Sequence, residues 1–135
     1  MKTEDKSYKF DSVLLIDDND IDNFINERMI TTNYFSKMVV VKTSGEEALK
    51  FLRENGDVKN IPEIIFLDLN MPVMDGFAFL QEFEKLPESI RTRCKVIVLS
   101  SSISPEDINR ASTNPYVIKY VNKPLNERYL EAINF

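Results

Sequence analysis

The chain has 135 residues, 43% of them apolar, and a net charge of −5. That length suits one domain with its own core, and the apolar share is too high for a disordered segment. The acidic balance argues against a nucleic-acid-binding surface, no apolar run approaches the roughly 20 residues that span a bilayer, and a chain without histidine cannot run a Ser-His-Asp or Cys-His mechanism. Cys94 is the single cysteine and has no internal disulfide partner, and the polar N-terminus lacks the apolar centre of a signal peptide. A cytoplasmic location is the expectation.

Residues 1–10 read as a loose, solvated arm, with the domain over residues 11–135. Ser12 to Ile16 reads as a buried strand that ends in Asp17-Asp18. A helix follows, with Asp20 as its N-cap and Ile21, Phe24, Ile25 and Met29 at helical spacing, which predicts an inward apolar face. Met38 to Val41 is the second strand. Ser44-Gly45-Glu46-Glu47 has the pattern of a capping box, Ala48, Phe51 and Leu52 give the next helix its inner face, and Gly56 is placed to end it.

Ile64-Ile65-Phe66-Leu67 is a short strand of residues suited to burial on both faces, and Asp68 follows without a break. An unpaired buried carboxylate costs several kcal/mol, so Asp68 must sit at a crevice, be paired, or meet a cation. Pro72 stops the run, and a helix from about Asp75 carries Phe79, Leu80, Phe83 and Leu86 up to Pro87. Lys95 to Ser100 is the fourth strand. Ser104-Pro105-Glu106-Asp107 combines a cap, a first-turn proline and first-turn acids, and Ile108 and Ala111 form the apolar face of that helix. Val117 to Val121 is the fifth strand, Lys123-Pro124 breaks it, and Asn126 begins a last helix through Tyr129, Leu130 and Ile133.

Five repeats of strand then helix predict an α/β fold: a flavodoxin-like (βα)5 three-layer sandwich with a parallel sheet in the order 2-1-3-4-5. All strand ends then share one edge. Strands one and three lie side by side, which gathers Asp17, Asp18 and Asp68. Two such charges 4 Å apart repel by about 4 kcal/mol at an effective dielectric of 20, so three together need a compensating cation or must partly protonate. Oxygen ligands without Cys or His select Mg²⁺, with Mn²⁺ also possible. Lys123 adds a fixed positive charge and Ser100 a hydroxyl. A carboxylate nucleophile, a divalent metal, a lysine and a hydroxyl together make a site for a phosphoryl group.

The segments IDDND (16–20), FLDLNMPVMDG (66–76), VLSSS (98–102) and YVNKP (120–124) resemble the receiver domain of bacterial response regulators, the CheY-like family, in order and spacing over the chain from about residue 10. The resemblance implies that Asp68 accepts a phosphoryl group from a histidine kinase or a histidine phosphotransfer protein. It implies that Asp18 holds Mg²⁺ directly, Asp17 through water, and Asn70 by its backbone carbonyl. Ser100 would bind the phosphoryl group, Lys123 would pair with it, and Tyr120 would report it to the surface. A cis Lys123-Pro124 bond is implied too. Output would pass to an unidentified protein through the face of the fourth predicted helix, the fifth strand and the last helix, with Ile108, Ala111 and Tyr120, in a stand-alone module bound to neither nucleic acid nor membrane. Ser101 departs from the small Ala or Gly frequent at its position in the family.

Blander readings exist for each residue. Asp17-Asp18 by itself is a turn and a cap, Asp75 is a helix cap, Ser100 is a strand terminator, Lys123 alone is a surface lysine, and Tyr120 is a half-buried strand aromatic. Two other functions fit part of the pattern. Asp18-Asn19-Asp20 after an apolar strand suits a metal-dependent phosphatase of the haloacid-dehalogenase type, and a degenerate receiver would be a constitutive binding module.

Overall fold

The computed structural model describes residues 7–55 and 61–134. Five parallel strands form one sheet in the order β2-β1-β3-β4-β5. They are β1 (Phe10–Ile16), β2 (Ser36–Lys42), β3 (Ile64–Leu67), β4 (Lys95–Ser100) and β5 (Val117–Asn122). The helices are α1 (Asp20–Thr32), α2 (Gly45–Glu54), α3 (Gly76–Phe83), α4 (Glu88–Arg93), α5 (Pro105–Ser112) and α6 (Glu127–Ala132). Strand order and fold class match the expectation.

Successive strand side chains point to opposite faces, so each central strand feeds two cores. Leu14, Ile16, Ile65, Leu67 and Val96 pack under α2, α3 and α4 with Leu52, Phe79, Phe83 and Ile90. Val13, Leu15, Ile64, Phe66, Ile97 and Leu99 pack on the other face with Ile30, Leu130 and Ile133. Residues buried on both sides need no alternation, which is why the strands read as unbroken apolar runs.

The caps mostly stand where the sequence puts them. Ser44, Asp75, Ser104 and Asn126 each accept a bond from a first-turn backbone N–H. At α1 the cap is Asn19 rather than Asp20: Asn19 Oδ1 accepts from Asp22 N at 2.9 Å. Gly56, expected to end α2, lies outside the described residues, and α2 closes on Asn55. β1 starts at Phe10, whose ring packs 5.0 Å from that of Phe35, and Lys9 donates to Leu130 O.

Three points about the helices differ from the sequence reading, which assigned no element to the segment after Pro87. The segment after Pro87 forms a short helix, α4, which buries one side chain, Ile90. One apolar residue in six leaves no periodic signal. The second point is α1. Ile21 and Phe24 are 71% and 66% exposed and Ile25 is also exposed, whereas Asn23, Asn26 and Ile30 face inward; of the four expected residues only Met29 packs against the core. Phe35, delivered by the turn before β2, fills the core beside Phe66 instead. A third correction concerns α5: Ala111 is fully buried against Leu69 and Val98, so it is not part of any outer surface. Cys94 is buried, and burial pushes its thiol up to about 12, against the smaller pull of Arg93 and Lys95.

Candidate functional site

Backbone bonds at the C-terminal sheet edge set the carboxylates side by side. Asp68 N donates to Ile16 O at 3.0 Å, and Asp17 N donates to Lys42 O at 3.2 Å. These bonds tie the first residue past β3 to β1, and the first residue past β1 to β2. Asp17 Oδ1 accepts from Asn19 N, which turns the chain into α1. Behind Asp68, α3 begins hard against the strand end. A Cβ on Gly76 would lie 2.8 Å from Asp68 O and from Leu69 Cα, so only glycine fits there. The preceding loop holds Val73 at φ 69, a strained setting for a β-branched residue, with its side chain in solvent.

Lys123 comes from the other side. The Lys123-Pro124 bond is cis, as expected. Lys123 N donates to Ser100 O at 3.0 Å, and Asn26 Oδ1 on α1 accepts from Leu125 N at 3.2 Å, which ties this turn to both neighbours. The ammonium lies 2.6 Å from Asp17, 2.9 Å from Asp22 and 3.4 Å from Asp68.

The mouth of the site is lined by Asp17, Asp18, Asn19, Asp22, Asp68, Asn70, Ser101 and Lys123. One oxygen each from Asp17, Asp18 and Asp68 lies within 4.8 Å of the others, close enough to share an ion. Asp17 and Asp68 are buried and Asp18 is exposed. Donors that are all carboxylate oxygens fit a hard divalent cation.

Burial, with the neighbouring charge of Asp17, raises the Asp68 carboxyl to about 6 against the downward pull of Lys123 and the Asn70 backbone N–H. Such a group is about nine-tenths ionised at pH 7, the form a nucleophile needs. Burial alone would lower Lys123, but the hydrogen bonds of Asp17 and Asp22 and the charge of Asp68 hold it above the usual lysine value.

Of the expected residues, Asp17, Asp18, Asp68, Asn70 and Lys123 come together at this mouth. Ser100 is fully buried just beneath it, with Oγ accepting from Ser102 N at 3.1 Å, and the serine lining the mouth is Ser101. Tyr120 stands on the far side of Ser102, its hydroxyl donating to Ser102 O at 2.8 Å. Asp20, needed by the phosphatase reading, is exposed on α1 and lies outside the carboxylate cluster. Sequence reasoning missed Asp22 and Asn26. Both act on a turn about a hundred positions away, and only the topology brings them to it.

A family model described as the response regulator receiver domain matches residues 13–134. The chain is 30% identical to response regulator Rcp1 of Synechocystis sp., over 84% of this chain and 77% of that one. It is 32% identical to the probable methanogenesis regulatory protein FilR2 of Methanothrix harundinacea, over 84% of this chain and 72% of that one. Among solved structures, a two-component response regulator from Cytophaga hutchinsonii superposes with a TM-score of 0.84 at 36% identity, covering 90% of this chain and 92% of its own. The Mn²⁺-bound form of Rcp1 superposes with a TM-score of 0.70 at 28% identity, covering 89% and 86%.

Proposed function

Because the chain belongs to the response regulator receiver family, a family of phosphorylation-based signalling, we propose that Asp68 is its phospho-acceptor, loaded from a phosphohistidine on a kinase or phosphotransfer protein. The observation that carries this reading is the placement of Asp68: past the end of β3, within one ion's reach of Asp17 and Asp18, and faced by Lys123. In the transfer an Asp68 oxygen bonds to phosphorus as the P–N bond breaks, and the imidazole leaves with the electron pair. In hydrolysis water adds to phosphorus, inorganic phosphate leaves, and the carboxylate returns.

Lys123 offsets the charge of the bound group. Asp18, Asp68 and the Asn70 carbonyl would hold Mg²⁺ directly and Asp17 through water. A divalent cation bound there neutralises charge on the phosphoryl oxygens. The manganese in Rcp1 supports this class of ion. The exposed apolar residues of α1, Ile21, Phe24 and Ile25, stand beside the site and suit a donor protein that must bring its phosphohistidine to Asp68.

Output follows from the bonds around Ser102. A phosphoryl group on Asp68 offers the Ser100 hydroxyl a charged acceptor, worth roughly 1.5–3 kcal/mol. Ser100 then gives up Ser102 N, and the Ser102 carbonyl that holds Tyr120 and Asn122 moves with it. Ile108, Tyr120 and the exposed Ile118, on the face of α5, β5 and α6, carry the output contact to another protein. No described helix is long and apolar enough to cross a membrane, and a cytoplasmic site of action is part of this reading. Residues 11–135 would form the receiver, with Lys9 and Phe10 held against it.

Incubation with Mg²⁺ and acetyl phosphate, read by intact mass, tests the assignment. The wild type should gain one phosphoryl group and Asp68→Asn none. An undiminished gain in the variant overturns it.

A further inference from the structure

The Lys123 ammonium has three N–H donors and meets three carboxylates at unequal distances. Asp17 is at 2.6 Å and Asp22 at 2.9 Å, but the acceptor Asp68 is at 3.4 Å, beyond a good charge-assisted hydrogen bond. The lysine therefore leans away from the group it is to serve. Asp17 is buried and belongs to the acid cluster, so its hold on Lys123 is part of the site. Asp22 stands outside that cluster, on the first turn of α1, with its side chain 37% exposed. Its backbone N–H is fixed by Asn19, and it forms a wall common to the acid mouth and to a neighbouring cleft lined by Ile25, Asn26, Ser101 and Pro124.

Asp22 is not what anchors the lysine in the site. Asp17 holds the ammonium more closely, and Asn26 and Ser100 hold the backbone on either side of the cis bond. What Asp22 adds is a second claim on the ammonium and a further negative charge where an anion must enter. We propose that Asp22 is a positioning residue that restrains Lys123, drawing its ammonium off Asp68 and slowing phosphoryl loading until the lysine exchanges Asp22 for a phosphoryl oxygen. This rests on Asp68 being the acceptor and deepens that reading.

Asp22→Asn turns a charge-assisted bond to the ammonium into a weaker neutral one and removes one repelling charge. With Mg²⁺ present, both the rate of mass gain from acetyl phosphate and the calorimetric affinity for beryllofluoride should rise by about three- to tenfold, the scale of a half-exposed charged hydrogen bond. Asp22→Glu restores a carboxylate and should return both values toward wild type, which a merely structural role would not require. In a Lys123→Ala background, Asp22→Asn should change beryllofluoride affinity by less than about twofold, because the restrained group is gone and only the small effect of one half-exposed, screened charge remains. An equal rise in that background would mean that Asp22 acts through general charge alone, and the restraint would be wrong. Slower loading in Asp22→Asn would mean that Asp22 orders the lysine for transfer, and also overturns it. The two readings fail differently. A wild type that neither gains a phosphoryl group nor binds beryllofluoride overturns the acceptor chemistry, whereas a wild type that loads no more slowly than Asp22→Asn overturns the restraint alone.

Discussion

Helices α1 and α3 follow adjacent central strands on opposite faces of the sheet, and they use their apolar residues in opposite ways. α3 turns Phe79, Leu80 and Phe83 into the core. α1 turns Ile21, Phe24 and Ile25 out and lays Asn23 and Asn26 against the protein. The difference lies in what each helix meets. α3 lies over Ile65 and Leu67, which are wholly apolar. The first turns of α1 lie over backbone that needs partners: Asn23 donates to Asp17 O at 2.8 Å, and Asn26 accepts from Leu125 N. A leucine at either position would leave a buried polar group unmatched. The first turns of α1 thus hold the site, Met29 and Ile30 further along pack on the core, and Ile21, Phe24 and Ile25 stay exposed.

The contrast is sharpest in stability. Phe83→Ala should cost about 3–5 kcal/mol, as a buried aromatic in a closed core, measured by urea unfolding. A cost under 1 kcal/mol would mean that the α3 face is not the packed one.

The next effect tests the polar side that α1 serves. In metal-free protein Asp68 sits at about 6 when folded, against 3.8 unfolded, so the folded state holds the proton more tightly. The stability this contributes is complete below about pH 4, is lost as pH rises through about 6, and on the order of 3 kcal/mol is at stake. Asp68→Asn, which cannot ionise, should therefore melt higher than wild type at pH 7.5 in EDTA, with the gap closing toward pH 4. A lower melting temperature at pH 7.5 would contradict this account. Metal should narrow the gap by offsetting the carboxylate charge, and Asp18→Ala should weaken Mg²⁺ binding in a titration; an unchanged affinity would put the ion elsewhere.

Asn26→Ala strands the Leu125 N–H and should cost about 1–3 kcal/mol. Slower loading from acetyl phosphate should accompany that cost, since the Lys123 turn loses a tie. A stability cost without slower loading would reduce Asn26 to a core residue. The smallest effect closes the comparison: Phe24→Ala should change stability by no more than about 0.5 kcal/mol. Its effect should appear only in transfer from a protein donor, with acetyl phosphate loading unaltered. A large stability loss would return α1 to the ordinary pattern.

The strands were legible because Ile64 to Leu67 and Lys95 to Ser100 can only be buried runs, and the carboxylates were legible because strand ends in a parallel sheet share an edge. The orientation of α1 was not. Ile21, Phe24, Ile25 and Met29 have faultless helical spacing, but periodicity identifies an apolar stripe without saying what it faces. The deciding facts are two backbone polar atoms, one nearby at Asp17 and one about a hundred positions away at Leu125. Asp22 escaped for the same reason, since nothing local marks a first-turn acid as the partner of Lys123. Ser100 was named correctly as a strand-end hydroxyl, yet its bond to Ser102 N needed the folded loop to be seen.

Cys94 carries a practical consequence. Its thiol is enclosed and held at about 12, so at neutral pH it offers almost no thiolate to an alkylating reagent. The native chain therefore behaves as a cysteine-free background without any substitution. One cysteine introduced at Val73, which is 96% exposed in the loop between β3 and α3, would be the single residue to take a maleimide dye. Such a conjugate gives a fluorescence signal in the loop that follows Asp68, in a protein that has no tryptophan of its own.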